Sequence, residues 1–331
     1  MRVYIIKRLL LVIPTLFLVT IAVFPMIRMI PGDVVDALMA RVEEAGIHLD
    51  EAAMEAQIRS HLGLDVPVYT QYLRWLGVIR DKDGSFSGVF QGNLGESYWR
   101  PRSVVDEIRG RWPVTLQLGL MALIIAQLIA LPIGIYSALR QDTWGDYATR
   151  SFAIMCISIP GFWLATLVIV YPSIWWGYMP PIMYVSFMED PLRNLERFII
   201  PAIVLGLLMA GSTMRITRTM MLEVLRQDYI RTAWAKGLRE RAVVLRHALK
   251  NALIPVITVV GLSMPVLVGG TAVIERVFNI PGLGLLIVEA TSARDYPVMS
   301  GTMLFFAVGL VFINLMVDLT YAYLDPKVQY K

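Results

Sequence analysis

The chain has 331 residues, 56% of them hydrophobic and only 17% charged, and its mean hydropathy is +0.60. An average soluble domain is about a quarter charged, so a soluble protein with a large core is excluded in favour of a polytopic membrane protein. The net charge of +4 comes from basic residues beside apolar runs, which is no nucleic-acid footprint, and the single Cys156 excludes an intramolecular disulfide or a cysteine metal site.

Charge-free intervals locate the spans in chain order: 9–27, 112–139, 151–188, 198–214, 251–274 and 296–317. About 20 apolar residues cross a bilayer core, so the fold class is all-α with six transmembrane helices. The third interval is one span plus a loop. It ends near Trp175, where WWGYMPPIMY supplies interfacial aromatics and the Pro180–Pro181 break. Arg2, Lys7 and Arg8 precede a first run too long for a signal peptide and followed by no small-x-small cleavage site, so residues 1–30 read as a retained span with a cytoplasmic N-terminus.

Residues 31–111 form a partly helical external insertion between the first two spans. Met54, Ile58 and Leu62 make a helical stripe ended by Gly63, and Pro67 starts another helix with Val68, Tyr72, Trp75 and Ile79 on one face. Asp81-Lys82-Asp83-Gly84 is a turn. Ser103 with Asp106 reads as a capping box opening a short amphipathic helix, Val104 to Arg111, lying along the membrane surface. The insertion is too small for an enzyme domain. Residues 112–331 hold the other five spans.

The strongly polar interruption of the second half is 214–251. Arg215, Arg218, Arg226, Arg231, Lys236, Arg239, Arg241, Arg246 and Lys250 stand there against Glu223, Asp228 and Glu240, which places this loop and both termini in the cytoplasm. Within it, Asp228 to Pro255 reads as two helices hinged at Gly237. Asp228 caps the first, and Gly237 ends it in a left-handed conformation. Leu238, Ala242, Leu245 and Leu249 then form the apolar stripe of the second. Read from the residues alone, this basic elbow is either an ordinary positive loop or a docking element for a partner.

Catalytic signals are missing. His48, His61 and His247 all lie outside the spans and read as surface residues, and no H-E-x-x-H, G-x-S-x-G or metal-ligand spacing occurs. No phosphate-cradling G-x-x-x-x-G-K-[ST] is present either, so nucleotide energy would have to come from another polypeptide. Polar groups inside spans are costly and face the bundle interior or a wet cavity. Gln127 sits mid-helix, where it either bonds a neighbour or lines a pathway. Asn314 and Asp318, four apart on one face of the last span, offer the same two readings. Glu275 and Arg276, followed by Asn279-Ile280-Pro281-Gly282-Leu283-Gly284, read as a rigid turn or simple loop at the outer end of the fifth span.

Several segments carry a resemblance that spans nearly the whole chain. They are Met29-Ile30-Pro31-Gly32-Asp33, Gly92-Asn93-Leu94-Gly95-Glu96-Ser97 with Val105-Asp106-Glu107-Ile108, and Asp228-Tyr229-Ile230-Arg231-Thr232-Ala233 with Ala235-Lys236-Gly237-Leu238. The arm His247-Ala248-Leu249-Lys250-Asn251-Ala252 runs on to Pro255. Ile280 to Gly284, Arg294-Asp295-Tyr296-Pro297-Val298, and Asn314 through Asp318 to Leu324-Asp325-Pro326 complete the set. In this order and spacing they resemble the inner-membrane permease subunits of ABC importers for dipeptides, oligopeptides, nickel and glutathione.

That resemblance implies a type I importer permease fold in a prokaryotic inner membrane. It implies a second homologous permease, two cytoplasmic ATPase subunits that hold the ATP and magnesium, and an external solute-binding protein, with no cofactor, metal or catalytic residue in this chain. The superfamily's Glu-Ala-Ala-x-x-x-Gly signature, whose helix docks on the ATPase, falls on Arg231-Thr232-Ala233 and Gly237. Asp228, Tyr229, Lys236 and Leu238 flank it. With Arg231 at the glutamate position, a glutamate salt bridge to the ATPase does not carry over. On the resemblance, Ala233 is small to allow close docking. Gln127, Glu275, Pro281, Gly282, Asn314 and Asp318 are the candidates for pathway or gate. Peptide is the cargo the resemblance favours, with nickel chelates, glutathione or sugars as alternatives. An ion-coupled secondary transporter would instead show an inverted repeat and midplane ionisable residues.

Overall fold

The computed structural model describes residues 2–29, 33–44, 50–81, 84–181, 183–269 and 271–324, and side chains are described within these except at 2–8, 41, 42, 44, 51 and 318–324. The element order is α1 (Arg2–Arg28), α2 (Val34–Glu44), α3 (Glu51–His61), α4 (Val68–Leu76), α5 (Val104–Leu139), α6 (Trp144–Ser158), α7 (Gly161–Trp176), α8 (Pro191–Leu225), α9 (Asp228–Ala235), α10 (Glu240–Ala242), α11 (Leu249–Ser263), α12 (Val266–Gly269), α13 (Ala272–Val277), α14 (Leu283–Ala293) and α15 (Tyr296–Leu324). Among the described residues there is no strand, only an isolated bridge between Glu96 and Ser103. Five helical segments are long and apolar enough to cross a membrane, and α6 with α7 makes a sixth span when that bent pair is counted as one. The chain is therefore an all-α polytopic membrane protein.

The third span is not a single rod. α6 and α7 meet at 99° across Ile159–Pro160. Pro160 disfavours helical backbone at the residue before it and then opens α7 as its N-cap. α5 departs from expectation in the opposite sense. The segment from Val104 to Arg111 is not a separate surface helix but the first turns of a 36-residue helix that runs through Pro113 into the second span. Its polar side has protein partners: buried Glu107 pairs with Arg111, at 3.3 Å, and with Arg100, and Arg111 reaches Glu289. Ser103 caps this helix through the Val105 N–H.

The chain forms two compact units. One comprises Lys7–Pro113 with Leu285–Val311. In it Pro67 opens α4, and Gly77 ends it, so Ile79 lies beyond the expected helical face. Tyr72 and Trp75 pack tilted on Phe24, each with ring centroids 5.4 Å away, and Thr20 shares a 2.8 Å hydrogen bond with the Tyr72 hydroxyl. Val68, expected on the same face, is exposed. Lys82, Asp83 and His48 lie outside the described residues.

The other unit is built on Val114–Gly284. Its core runs along α5, α7 and α8 through Leu118, Ala122, Ala165, Phe198, Ala202 and Leu205. A second cluster of small residues, Ala126, Ala130, Ala153 and Ala210, lets α5, α6 and α8 approach closely. Small side chains at helix contacts are what packing in lipid favours, because burial against other apolar surface supplies little hydrophobic drive there.

Candidate functional site

The polar elbow of the second half forms around α9. The chain leaves α8 at Leu225, turns, and enters α9 at Asp228 with Gln227 as N-cap and no side-chain cap bond. Asp228 is thus the first helical residue rather than the cap. It stands in the first turn, where negative charge is favourable, and its carboxylate accepts a long 3.5 Å bond from Arg231. α9 ends in a Schellman pattern. Gly237 N–H donates to Trp234 O, Leu238 N–H donates to Ala233 O, and Gly237 takes φ +74°. The stop at Gly237 is as expected.

The second arm differs from the expected stripe. Leu238 and Arg239 are outside any helix, α10 is a single turn, and Val243–Ala248 is π-helical before α11 begins. A π segment bonds i to i+5 and inserts an extra residue per turn. The buried face is therefore Val243, Val244, Ala248 and Ala252, while Leu238 and Leu245 are exposed. These residues pack with Ile230 and Ala233 of α9, Met221 of α8 and Ala138 of α5 in one cluster. Ala233 is 7% exposed and faces this chain's own core. Its small size is required by internal packing. Asp228, Arg231, Thr232 and Ala235 lie at i, i+3, i+4 and i+7, all exposed, and form the ridge α9 presents outward. Tyr229 and Trp234 flank it, and the Tyr229 hydroxyl accepts a 2.7 Å bond from Asn251 on α11.

Beside this elbow lies a polar lock that the sequence reading missed. Arg218 on α8 holds the Asp146 carboxylate of α6 by two bonds, Nε to Oδ1 at 2.8 Å and Nη2 to Oδ2 at 2.7 Å. Ser137 of α5 donates to Oδ1 at 2.5 Å and the Asp142 N–H to Oδ2 at 3.1 Å. Asp146 is fully buried. From the sequence Arg218 reads only as one charge of the basic loop. The available signal is an arginine one turn beyond the apolar run 198–214 and an aspartate shortly before the run 151–188, each with other charges beside it.

The turn after the fifth span is also more than a loop. Glu275 is fully buried on α13, and its Oε1 accepts from Thr115 and Thr271, each at 2.7 Å. The Thr115 hydroxyl in turn accepts the Leu283 N–H at 2.7 Å. Gly282 lies directly against the Glu275 carboxyl group, where a Cβ would collide with it. Asn279, two residues before Pro281, has φ +51°, and its carbonyl accepts Arg197 Nη2 at 2.7 Å. Glu275 and Gly282 thus belong to one buried cluster with Thr115 of α5 and Thr271, Arg197 ties α8 to the same turn at Asn279, and Pro281 lies half-buried between them. Gln127 is half-buried on α5 with its Oε1 lacking a partner among the described residues. Asn314 is exposed on α15, and the Asp318 side chain lies outside the description.

Residues 130–330 match the family described as Binding-protein-dependent transport system inner membrane component, and residues 1–119 match the N-terminal family of the same membrane components. A Brucella abortus (strain 2308) protein named as a peptide transport system permease is 39% identical over 330 residues, covering all of both chains. The glutathione transport system permease protein GsiC of Escherichia coli (strain K12) is 38% identical over 328 residues, covering 99% of each. A full-length match of this kind, on a chain with these spans, makes it a member of the binding-protein-dependent inner-membrane permeases, the membrane-spanning components of ABC importers.

Proposed function

We propose that this chain forms half of the pathway through which an ATP-driven importer carries short peptides delivered by a solute-binding protein. The chain pairs with a second homologous permease and with two cytoplasmic ATPase subunits, and both of its termini are cytoplasmic. The observation that carries the coupling role is the two-sided character of α9. Ile230 and Ala233 fix one side to α8 and α11, while Asp228, Arg231, Thr232 and Ala235 are exposed on the other. A short capped helix moves as one body when a partner pushes on its free side. Its buried side passes that displacement to Met221 and to Val244, Ala248 and Ala252, and hence into two spans.

The orientation rests on the basic residues around α9 and α10. Glu275, Pro281 and Gly282 serve as a stiff corner at the opposite end of the fifth span. ATP and magnesium belong to the partner ATPases, and hydrolysis is theirs. Peptide cargo rests on the Brucella relative's name. Glutathione is the second reading, favoured by the 38% identity to GsiC, and it is itself a short peptide bearing free carboxylates.

The test is uptake by proteoliposomes holding the permease pair and ATPases, with binding protein outside and ATP inside. Accumulation of a labelled dipeptide or of glutathione, lost without ATP, is the expected result. Uptake driven by a proton gradient without ATP would refute the reading.

A further inference from the structure

A cavity of about 960 Å³ lies within the unit built from Lys7–Pro113 and Leu285–Val311, and every residue lining it belongs to that unit. Its size is at the upper end of ligand pockets, which run from about 300 to 1,000 Å³. One face of α4 lines it with Gln71, Arg74 and Trp75, spaced i, i+3 and i+4. Each carries a buried polar atom with no partner among the described residues: Arg74 Nε and Nη1, Trp75 Nε1 and Gln71 Oε1. The Gln71 amide is oriented by its own bond, Nε2 to Val66 O at 2.8 Å, which leaves Oε1 as the open acceptor.

Buried donors and acceptors are nearly always satisfied, and a cluster of open ones calls for a missing partner. Here three N–H donors, two of them on a guanidinium, stand beside one open acceptor. Arg28 brings a second guanidinium to the same cavity, held 5.3 Å from the Phe24 ring centroid and 4.9 Å from that of Tyr296. Asp81 and Glu96 line it as well. An inorganic anion would meet these two acids unfavourably, and one without an O–H, such as sulfate, would also leave the Gln71 acceptor open. A molecule with a carboxylate at one end, amide N–H groups between and an ammonium at the other satisfies all of them.

We propose that this cavity binds a short peptide with free termini. Its C-terminal carboxylate rests on Arg74 and the Trp75 N–H, Gln71 accepts a peptide N–H, and the ammonium lies toward Asp81 and Glu96. The inference rests on the peptide-import reading for its biological sense, but the site is defined by its own chemistry. In the import cycle it would hold cargo on this unit.

The test is calorimetric titration of the assembled permease–ATPase complex in nanodiscs, without binding protein. The probes are trialanine, trialanine amide, N-acetyl trialanine and inorganic phosphate. Trialanine is expected to bind, and its amide about tenfold or more weakly, since a charge-assisted bidentate contact is lost. Arg74→Gln should weaken trialanine similarly. Trp75→Phe, which removes the N–H and keeps an aromatic ring though a smaller one, should weaken it several-fold and carries the test if Arg74→Gln does not fold. Equal affinity for trialanine and its amide, phosphate binding as tightly as trialanine, or unchanged affinity in Trp75→Phe would each overturn the proposal. Uptake separates the two readings. Trialanine uptake with variant-insensitive binding removes the cavity alone. Variant-sensitive binding without ATP-driven uptake removes the import reading and leaves the cavity.

Discussion

Asp146, fully buried in the Val114–Gly284 unit, is held by four hydrogen bonds. Both carboxylate oxygens are taken by Arg218, with Ser137 and the Asp142 N–H completing the shell. Breaking a buried pair by removing one partner strands the other charge. Asp146→Ala should therefore lower stability by about 3–5 kcal/mol, and Asp146→Leu with Arg218→Met should recover most of it. Unfolding in detergent measures both, and an Asp146→Ala protein as stable as wild type would remove the lock. Asp295 behaves differently. Burial raises its carboxyl above the ordinary value of 3.8, against the lowering effect of bonds from Ser97 and the Tyr98 N–H. A folded state that binds the proton more tightly than the unfolded chain gains stability as pH falls through the window above the ordinary value. Relative to Asp295→Asn, wild type should thus gain stability on acidification from neutral pH toward 4. A difference between the two proteins that does not change with pH would contradict this. Neither role was legible from the residues alone, because an aspartate's burial and partner depend on which helix arrives beside it.

At the scale of the element, α9 has two sides that substitutions separate. Ala233 sits in the packed cluster with Met221, Val244 and Ala252. Ala233→Trp overpacks that core and should cost about 1–3 kcal/mol or more, as small-to-large core changes do. Ala235→Trp, on the exposed ridge, should leave stability nearly unchanged while reducing ATPase co-purification and uptake. Loss of stability without loss of ATPase binding in Ala235→Trp would place the docking surface elsewhere. Gly237→Val forces a β-branched residue into φ +74° and should cost about 1–2 kcal/mol. Unfolding of both α9 variants and of Gly237→Val by one assay gives the comparison. The start, stop and length of α9 were readable from its flanking residues. The face it buries was not, since the π-helical turn at Val243–Ala248 shifts the register of the following arm, and no residue pattern marks that turn.

Over the whole molecule, the bends decide what the spans alone do not. The native Cys156 is buried, which leaves a low background for thiol labelling. A cysteine placed at exposed Phe90 should react with a membrane-impermeant maleimide on intact cells, and one at Arg239 only after permeabilisation. The reverse pattern would invert the topology. The sequence by itself determined that the chain is a helical membrane protein, where its apolar spans lie, that it lacks a nucleotide cradle, and which family its scattered motifs resemble. These follow from composition and short-range spacing, which local physics reads directly. The tertiary structure alone decided that Val104–Arg111 continues into the second span, that Ala233 packs inward, and that Arg74 and Trp75 open onto a cavity. Each depends on contacts between residues far apart in the chain. Such contacts form only when helices meet, and whether a polar atom is satisfied or left waiting is settled there.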